Sequence, residues 1–143
     1  MLFRSQLPEL WVAGVPAAAG DIPTTGTATY TGHAIADISN NGRQYIAAGT
    51  FSNTVNFGAR IGAVAIFGLD ATNYAGTVNL TPSSTLFAGN LAGSGGGRAA
   101  AINGSFFQGG ATNSTPLYGE MAGSINIGGT NYLGSGIFAA REP

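Results

Sequence analysis

The chain has no cysteine, so neither a disulfide nor a thiolate metal site can hold it together. It has no lysine either, and its five cations are all arginines: Arg4, Arg43, Arg60, Arg98 and Arg141. Charged residues make up 8% of the sequence, against roughly 25% in an ordinary soluble domain. With a net charge of −1 there is no basic footprint for nucleic acid and no polybasic patch for anionic lipid. No apolar run nears the ~20 residues of a membrane-spanning helix. The start, Met1-Leu2-Phe3-Arg4-Ser5, lacks the apolar centre of a signal peptide. The one histidine, His33, rules out a multi-histidine metal centre and any triad that needs a second base.

What is there instead is glycine, 24 in 143 residues, within a chain that is still 44% hydrophobic and long enough to bury a core. The glycines are patterned. Tyr30-x-Gly32-x-Ala34 recurs as Ala47-x-Gly49-x-Phe51, Tyr74-x-Gly76-x-Val78, Phe87-x-Gly89-x-Leu91 and Ile102-x-Gly104-x-Phe106. It returns as Met121-x-Gly123-x-Ile125 and Tyr132-x-Gly134-x-Gly136-x-Phe138, and Val64-x-Ile66-x-Gly68 has the same parity with its glycine last. Between these eight candidate strands lie turn signals at Asn40-Asn41-Gly42, Asp70 to Asn73, Pro82-Ser83-Ser84, Gly93 to Gly97, Gly109-Gly110 and Gly128-Gly129. Short strands at this spacing form a sandwich or a barrel.

Parity favours the barrel. Residues two apart on a strand share a face, so each large apolar residue and its glycine point the same way. Glycine weakens a strand, and its regular return needs a packing reason. A narrow eight-stranded barrel supplies one, because a large side chain from a neighbouring strand can fill the space over an inward glycine. The opposite face carries Thr27, Thr29, Thr31 and His33, then Asn73, Ala75 and Thr77, then Asn103 and Ser105. Small and polar outside with apolar inside is the reverse of a transmembrane barrel. The expected fold is an all-β, closed, antiparallel soluble β-barrel of about eight strands with an apolar interior packed by glycine and aromatic residues.

Residues 1–23 stand apart. Pro8, Pro16 and Pro23 punctuate an Ala-rich stretch and argue for an extended leader or linker rather than a helix. Leu2-Phe3-Arg4-Ser5 is also the translation of a sequencing-adapter tail, so the start is read as non-native, with a short native leader as the alternative. Trp11, the only tryptophan, is expected to pack on the domain or on upstream sequence. The domain proper is 24–143.

Catalytic chemistry finds little support. Asp37, Asp70 and Glu120 fall in different segments, and no spacing pairs them as two-carboxylate catalysis requires. Gly93-Ser94-Gly95-Gly96-Gly97-Arg98 lacks the Lys-Ser/Thr pair and following helix of a phosphate loop, and reads as a hairpin turn. Asn79-Leu80-Thr81, Asn103-Gly104-Ser105 and Asn113-Ser114-Thr115 match the glycosylation pattern, which a chain rich in Asn, Ser and Thr produces by chance. No catalytic, cofactor-binding or metal-binding residue is assigned.

The segments Ile102-Asn103-Gly104-Ser105-Phe106-Phe107, Tyr118 to Ile125 and Gly136-Ile137-Phe138-Ala139-Ala140-Arg141 resemble the closing strands of the transferrin-binding-protein-B-like barrel. Tyr30-Thr31-Gly32, Val55-Asn56-Phe57-Gly58 and Tyr74-Ala75-Gly76 fit the same course, so the likeness runs from about Thr24 to Arg141. Two departures are a longer turn from Gln108 to Leu117 and Ile125 where the family favours Phe. The resemblance implies a non-enzymatic barrel at the extracellular or outer-membrane surface of a Gram-negative bacterium, often in a lipoprotein and part of a longer chain. It implies a host or environmental protein as partner; no cofactor is expected through His33 alone, and the low charge already argues against nucleic acid. Binding residues do not carry over, because in the family they lie in variable loops and a handle domain. Ser39 to Gln44, Gly93 to Arg98 and Gln108 to Leu117 are the loops left for recognition. The alternatives are a purely structural barrel of an exported protein and a lipocalin-like carrier of a small apolar ligand. A carrier needs a hollow interior and a Gly-x-Trp start, whereas Trp11 follows Glu9-Leu10.

Overall fold

Eight consecutive strands each pair with the next, and the last pairs with the first. The computed structural model describes the backbone of residues 2–6, 9–13, 15–109 and 117–143, and the side chains of 15–109 and 117–143. The barrel strands are β3 (Thr27–Asn40), β4 (Arg43–Asn56), β5 (Ile61–Leu69), β6 (Thr72–Leu80), β7 (Leu86–Gly93), β8 (Arg98–Phe107), β9 (Glu120–Gly129) and β10 (Tyr132–Arg141). All pairings are antiparallel, and β10 closes on β3 through Ile137↔Ile35, so the barrel has no free edge. Two short strands precede it, β1 (Leu2–Gln6) and β2 (Glu9–Ala13), which pair with each other as a separate hairpin. The only helical element among the described residues is a 3-10 turn at Ala19–Asp21.

All eight expected strands are present, and the expected parity holds nearly throughout. Tyr30, Phe51, Ile66, Tyr74, Phe87, Ile102, Phe106, Met121 and Phe138 are buried inside, while Thr27, Thr29, Thr31, His33, Thr77 and Asn103 are exposed. The interior is filled by rings. Phe51 stacks on Phe138 at 4.5 Å between centroids, and Phe87 meets Phe106 edge-on at 5.4 Å.

Gly104 confirms the reason expected for an inward glycine. A Cβ there would lie 2.6 Å from the Phe87 ring and 2.8 Å from that of Phe138. Its cross-strand partner Gly123 has a different reason: a Cβ there would run into the Asn103 carbonyl and sit 2.5 Å from the Gly104 Cα. At Gly123 it is the neighbouring backbone that comes too close for a side chain. Gly68 departs from the expected parity. It is exposed, with φ +70°, at a register shift between Ile66 and Leu69, and Leu69 turns inward in its place. One extra residue with glycine in the left-handed region makes a bulge there.

Asn53 is the buried polar residue that the alternation did not reveal. It faces inward on β4 with no exposed surface, its Nδ2 only 3.5 Å from the Met121 sulfur and its Oδ1 without a partner. Leucine has the same branching and removes the unmet acceptor. Asn53→Leu is therefore expected to leave stability unchanged or raise it by about 1 kcal/mol. A clear fall in the urea midpoint would mean that Oδ1 has a partner in solution.

Residues 15–23 are not a free leader. Pro16 bridges Phe107, the Ala17 N–H donates to the Phe106 carbonyl at 3.3 Å, and Ala17 joins the core. The Gln108 N–H donates to the Val15 carbonyl at 2.9 Å. The chain thus binds to the end of β8 from Val15 onward, before the expected boundary at Thr24. Proline removes a donor from Pro16, but its neighbours supply the two bonds. β1 and β2 were not expected, because Pro8 and the lack of regular alternation in so short a segment hid them.

Candidate functional site

Hairpin turns alternate between the ends of an up-and-down barrel. Four turns share one end: Asn41-Gly42, Asp70-Ala71, Ser94 to Gly97 and Thr130-Asn131. Asn41 at φ 50° and Gly42 at φ 84° make the mirror-image two-residue turn that suits the strand twist. Asp70 and Ala71 do the same without glycine, at φ 52° and 61°. Alanine in the left-handed region costs about 1 kcal/mol or more. Ala71→Gly is therefore expected to stabilise the chain by about that amount in thermal unfolding.

Asp70 is held there by a network that closes the barrel mouth. The Tyr132 and Tyr45 hydroxyls donate to its Oδ2 at 2.6 and 2.7 Å, and Asn40 Nδ2 donates to the Tyr45 hydroxyl at 3.0 Å. Arg98 Nη1 donates to the Asp70 carbonyl at 3.1 Å and to the Thr72 hydroxyl at 2.9 Å, and lies 3.7 Å from the carboxylate. The Arg98 guanidinium covers the Tyr132 ring at 3.6 Å from its centroid. Desolvation by itself would raise the Asp70 pKa. The two phenol hydrogen bonds and Arg98 outweigh it, and the carboxyl sits below its ordinary value. Tyr132 and Tyr74 are pushed upward, burial being the largest cause in each. A carboxylate that accepts from two phenols and lies under an arginine is a structural plug for this end of the barrel.

Linkage follows from the direction of that shift. Asp70 titrates at a lower pH in the folded chain than unfolded, so its contribution is complete above about pH 3.9 and disappears as pH falls through the folded value. Asp70→Asn is expected to cost about 1 kcal/mol at neutral pH, the low end for a partly exposed charged hydrogen bond. It is also expected to flatten the acid limb of stability against pH. An unchanged acid limb would assign the pH dependence to another carboxylate.

The other sequence candidates are scattered. His33 is exposed on the outer face of β3, between Thr50 and Ala139. Asp37 lies on the same outer face opposite Ile46 and Ser135, and Glu120 pairs with Arg141 and Phe107 at the other end of the barrel. The three carboxylates thus occupy three places, and among the described residues no group of three or more His, Cys, Asp or Glu could hold a metal. The Gly93–Arg98 segment is a hairpin turn followed by strand β8, as its sequence implied. Asn79 and Asn103 are exposed on the outer face, while Asn113 lies outside the described residues. Two of the three expected recognition loops, Ser39 to Gln44 and Gly93 to Arg98, come to the plugged end. Gln108 to Leu117 connects strands at the other end, and its residues 110–116 lie outside the described residues.

Sequence reasoning missed the plug itself. A signal was present: Thr72-Asn73-Tyr74-x-Gly76 and Thr130-Asn131-Tyr132-x-Gly134 are the same motif at two turns of one end, each bringing a tyrosine inward. A concave site of about 420 Å³ lies beside the plug, lined by Ser39, Asn41, Gly42, Asn131, Tyr132 and Leu133.

The barrel matches a transferrin-binding protein B mutant from Haemophilus parasuis Hp5 with a TM-score of 0.68 over 89% of this chain, at 16% identity. It matches the structure of a surface lipoprotein with a TM-score of 0.68 over 91% of the chain, at 15% identity. The fold is the transferrin-binding-protein-B barrel. A transferrin-binding protein B mutant from Actinobacillus pleuropneumoniae H49 agrees, with a TM-score of 0.67 at 14% identity over 91% of the chain. The chain spans 28% of the length of the H. parasuis structure and 66% of each of the other two. No protein-family model and no curated protein sequence matches the chain, so its likeness to transferrin-binding-protein-B barrels lies in the fold.

Proposed function

We propose that this chain is a non-enzymatic barrel module, surface-exposed or secreted by a Gram-negative bacterium, that binds a host or environmental protein through the loops of its plugged end. The observation that carries this reading is the filled interior. Phe51, Phe87, Phe106 and Phe138 occupy the space in which a carrier would hold its ligand, which leaves recognition to the surface. The turns at the plugged end present Asn41, Ser94, Asn131 and the glycines around them on a rigid wall. This is the composition of adaptable polar recognition loops. Structural neighbours that include a transferrin-binding protein and a surface lipoprotein support the location and the kind of partner. The low charge disfavours nucleic acid, and polar outer positions such as Thr29, Thr77 and Asn103 disfavour a membrane-spanning role. In this reading the barrel of residues 24–143, with Val15–Ala17 bonded to the end of β8, is one module of a longer exported chain.

The test is surface plasmon resonance with the immobilised chain and a panel of serum proteins that includes transferrin. Saturable binding is expected, abolished when residues 41–42 and 94–97 are replaced by other turn sequences at unchanged melting temperature. Binding indifferent to those loops would place recognition elsewhere. Absence of binding across the panel would favour a purely structural barrel.

A further inference from the structure

The outer wall of the barrel is exposed on most strands, but one strip of it is not. Ile137 on β10 and Ala122 on β9 point outward by parity, yet they are 6% and 2% exposed. Leu133, four residues before Ile137 on the same face, is 68% exposed. The strip continues across the register, Ile137 lying opposite Ile35 of β3 and Ala139 opposite Ala122 of β9. Its chemistry is apolar and small. β2 runs against β10, while among the described residues β1 and β2 pair with each other and add no rung to the barrel ladder.

We propose that the outer face of β10 around Ile137, with Ala122 of β9 beside it, is a docking site for the β1–β2 hairpin of the same chain, a detachable cover held without ladder hydrogen bonds to the barrel. The tether is the Val15–Ala17 segment, bonded to the end of β8, so the hairpin can leave without unthreading the barrel. A hairpin of two five-residue strands is at best marginally stable alone in water. Its own ladder therefore persists only while it is docked. Undocking uncovers an apolar strip suited to another extended apolar segment.

That coupling gives a direct readout in the full chain: hydrogen exchange of the residue 2–13 amides, with the barrel amides as the control in the same sample. Ile137→Ser removes an isoleucine's burial from the docked state only, and is expected to speed exchange over 2–13 by about tenfold or more. Ala122→Glu, which blocks the site by bulk and charge, is expected to do the same. Ser135→Glu, on the same outer face at an exposed position, is expected to change nothing. Barrel exchange is expected to be the same in all three variants. The proposal is overturned if the 2–13 amides of the parent already exchange at the rate of an unfolded chain. It is equally overturned if neither strip variant speeds them, or if barrel and hairpin exchange rise together in both. Protection that vanishes on dilution of the parent would assign the hairpin on the strip to a second copy and overturn docking within one chain.

Discussion

Phe106→Ala is expected to lower stability by about 3–5 kcal/mol, read as a fall in the urea midpoint at unchanged slope. Phe106 is buried at the centre of a ring cluster, with Tyr30 at 5.8 Å, Phe87 at 5.4 Å and Phe57 at 6.1 Å between centroids. Truncation removes the transfer free energy of the ring and leaves a space that the wall cannot fill. The ladder bonds of β8 to β7 and β9 hold the backbone at its spacing, so collapse is limited. In a hollow barrel the same substitution would only enlarge a cavity already open to solvent, with a far smaller effect. A near-neutral result, joined to saturable uptake of an apolar fluorescent probe by the parent chain, would promote the carrier function over the surface-recognition one.

The second large effect is expected at the Gly104–Gly123 pair, where the two substitutions separate two kinds of close approach. Gly104→Val drives a branched side chain into the ring ends of Phe87 and Phe138, at a cost of about 1–3 kcal/mol by overpacking. Those rings cannot retreat freely, because Phe138 is stacked on Phe51 and Phe87 lies edge-on to Phe106. Gly123→Val meets carbonyl and Cα atoms of β8 instead. Backbone in a closed ladder has no rotamer to change, so β8 and β9 must separate locally, and the loss is expected to exceed that of Gly104→Val. Denaturant unfolding of both variants checks the order. The reverse order would mean that the rings, and not the wall, set the tolerance of the barrel.

The plug and the core differ in what each can contribute. Rings such as Phe106 and Phe138 supply most of the stability, since apolar burial scales with area. The Asp70 network is partly exposed and is worth less, but it fixes the four turns of one end relative to each other through Tyr45, Tyr132 and Arg98. A rigid end is what loop recognition needs, because ordering the loops on binding would otherwise subtract from affinity.

The strands were legible in the sequence because side-chain direction alternates with a period of two whatever the neighbours are. Tyr30, Gly32 and Ala34 had to share a face, and the same holds at Ile102, Gly104 and Phe106. The Asn41-Gly42 turn was legible because its backbone conformation favours those two residues. Position along the chain did not reveal what depends on curvature and register. Which inward glycines face a ring, as Gly104 does, and which face a backbone, as Gly123 does, is decided by how closely two strands approach. The bulge at Gly68 moved Leu69 inward against the simple alternation. Asp70, Tyr45, Arg98 and Tyr132 lie far apart in sequence, and only closure of the barrel brings their turns to one end. The low exposure of Ile137 and Ala122 is likewise decided by the tertiary structure: parity placed both residues outside, and their burial there depends on what packs against the outer wall.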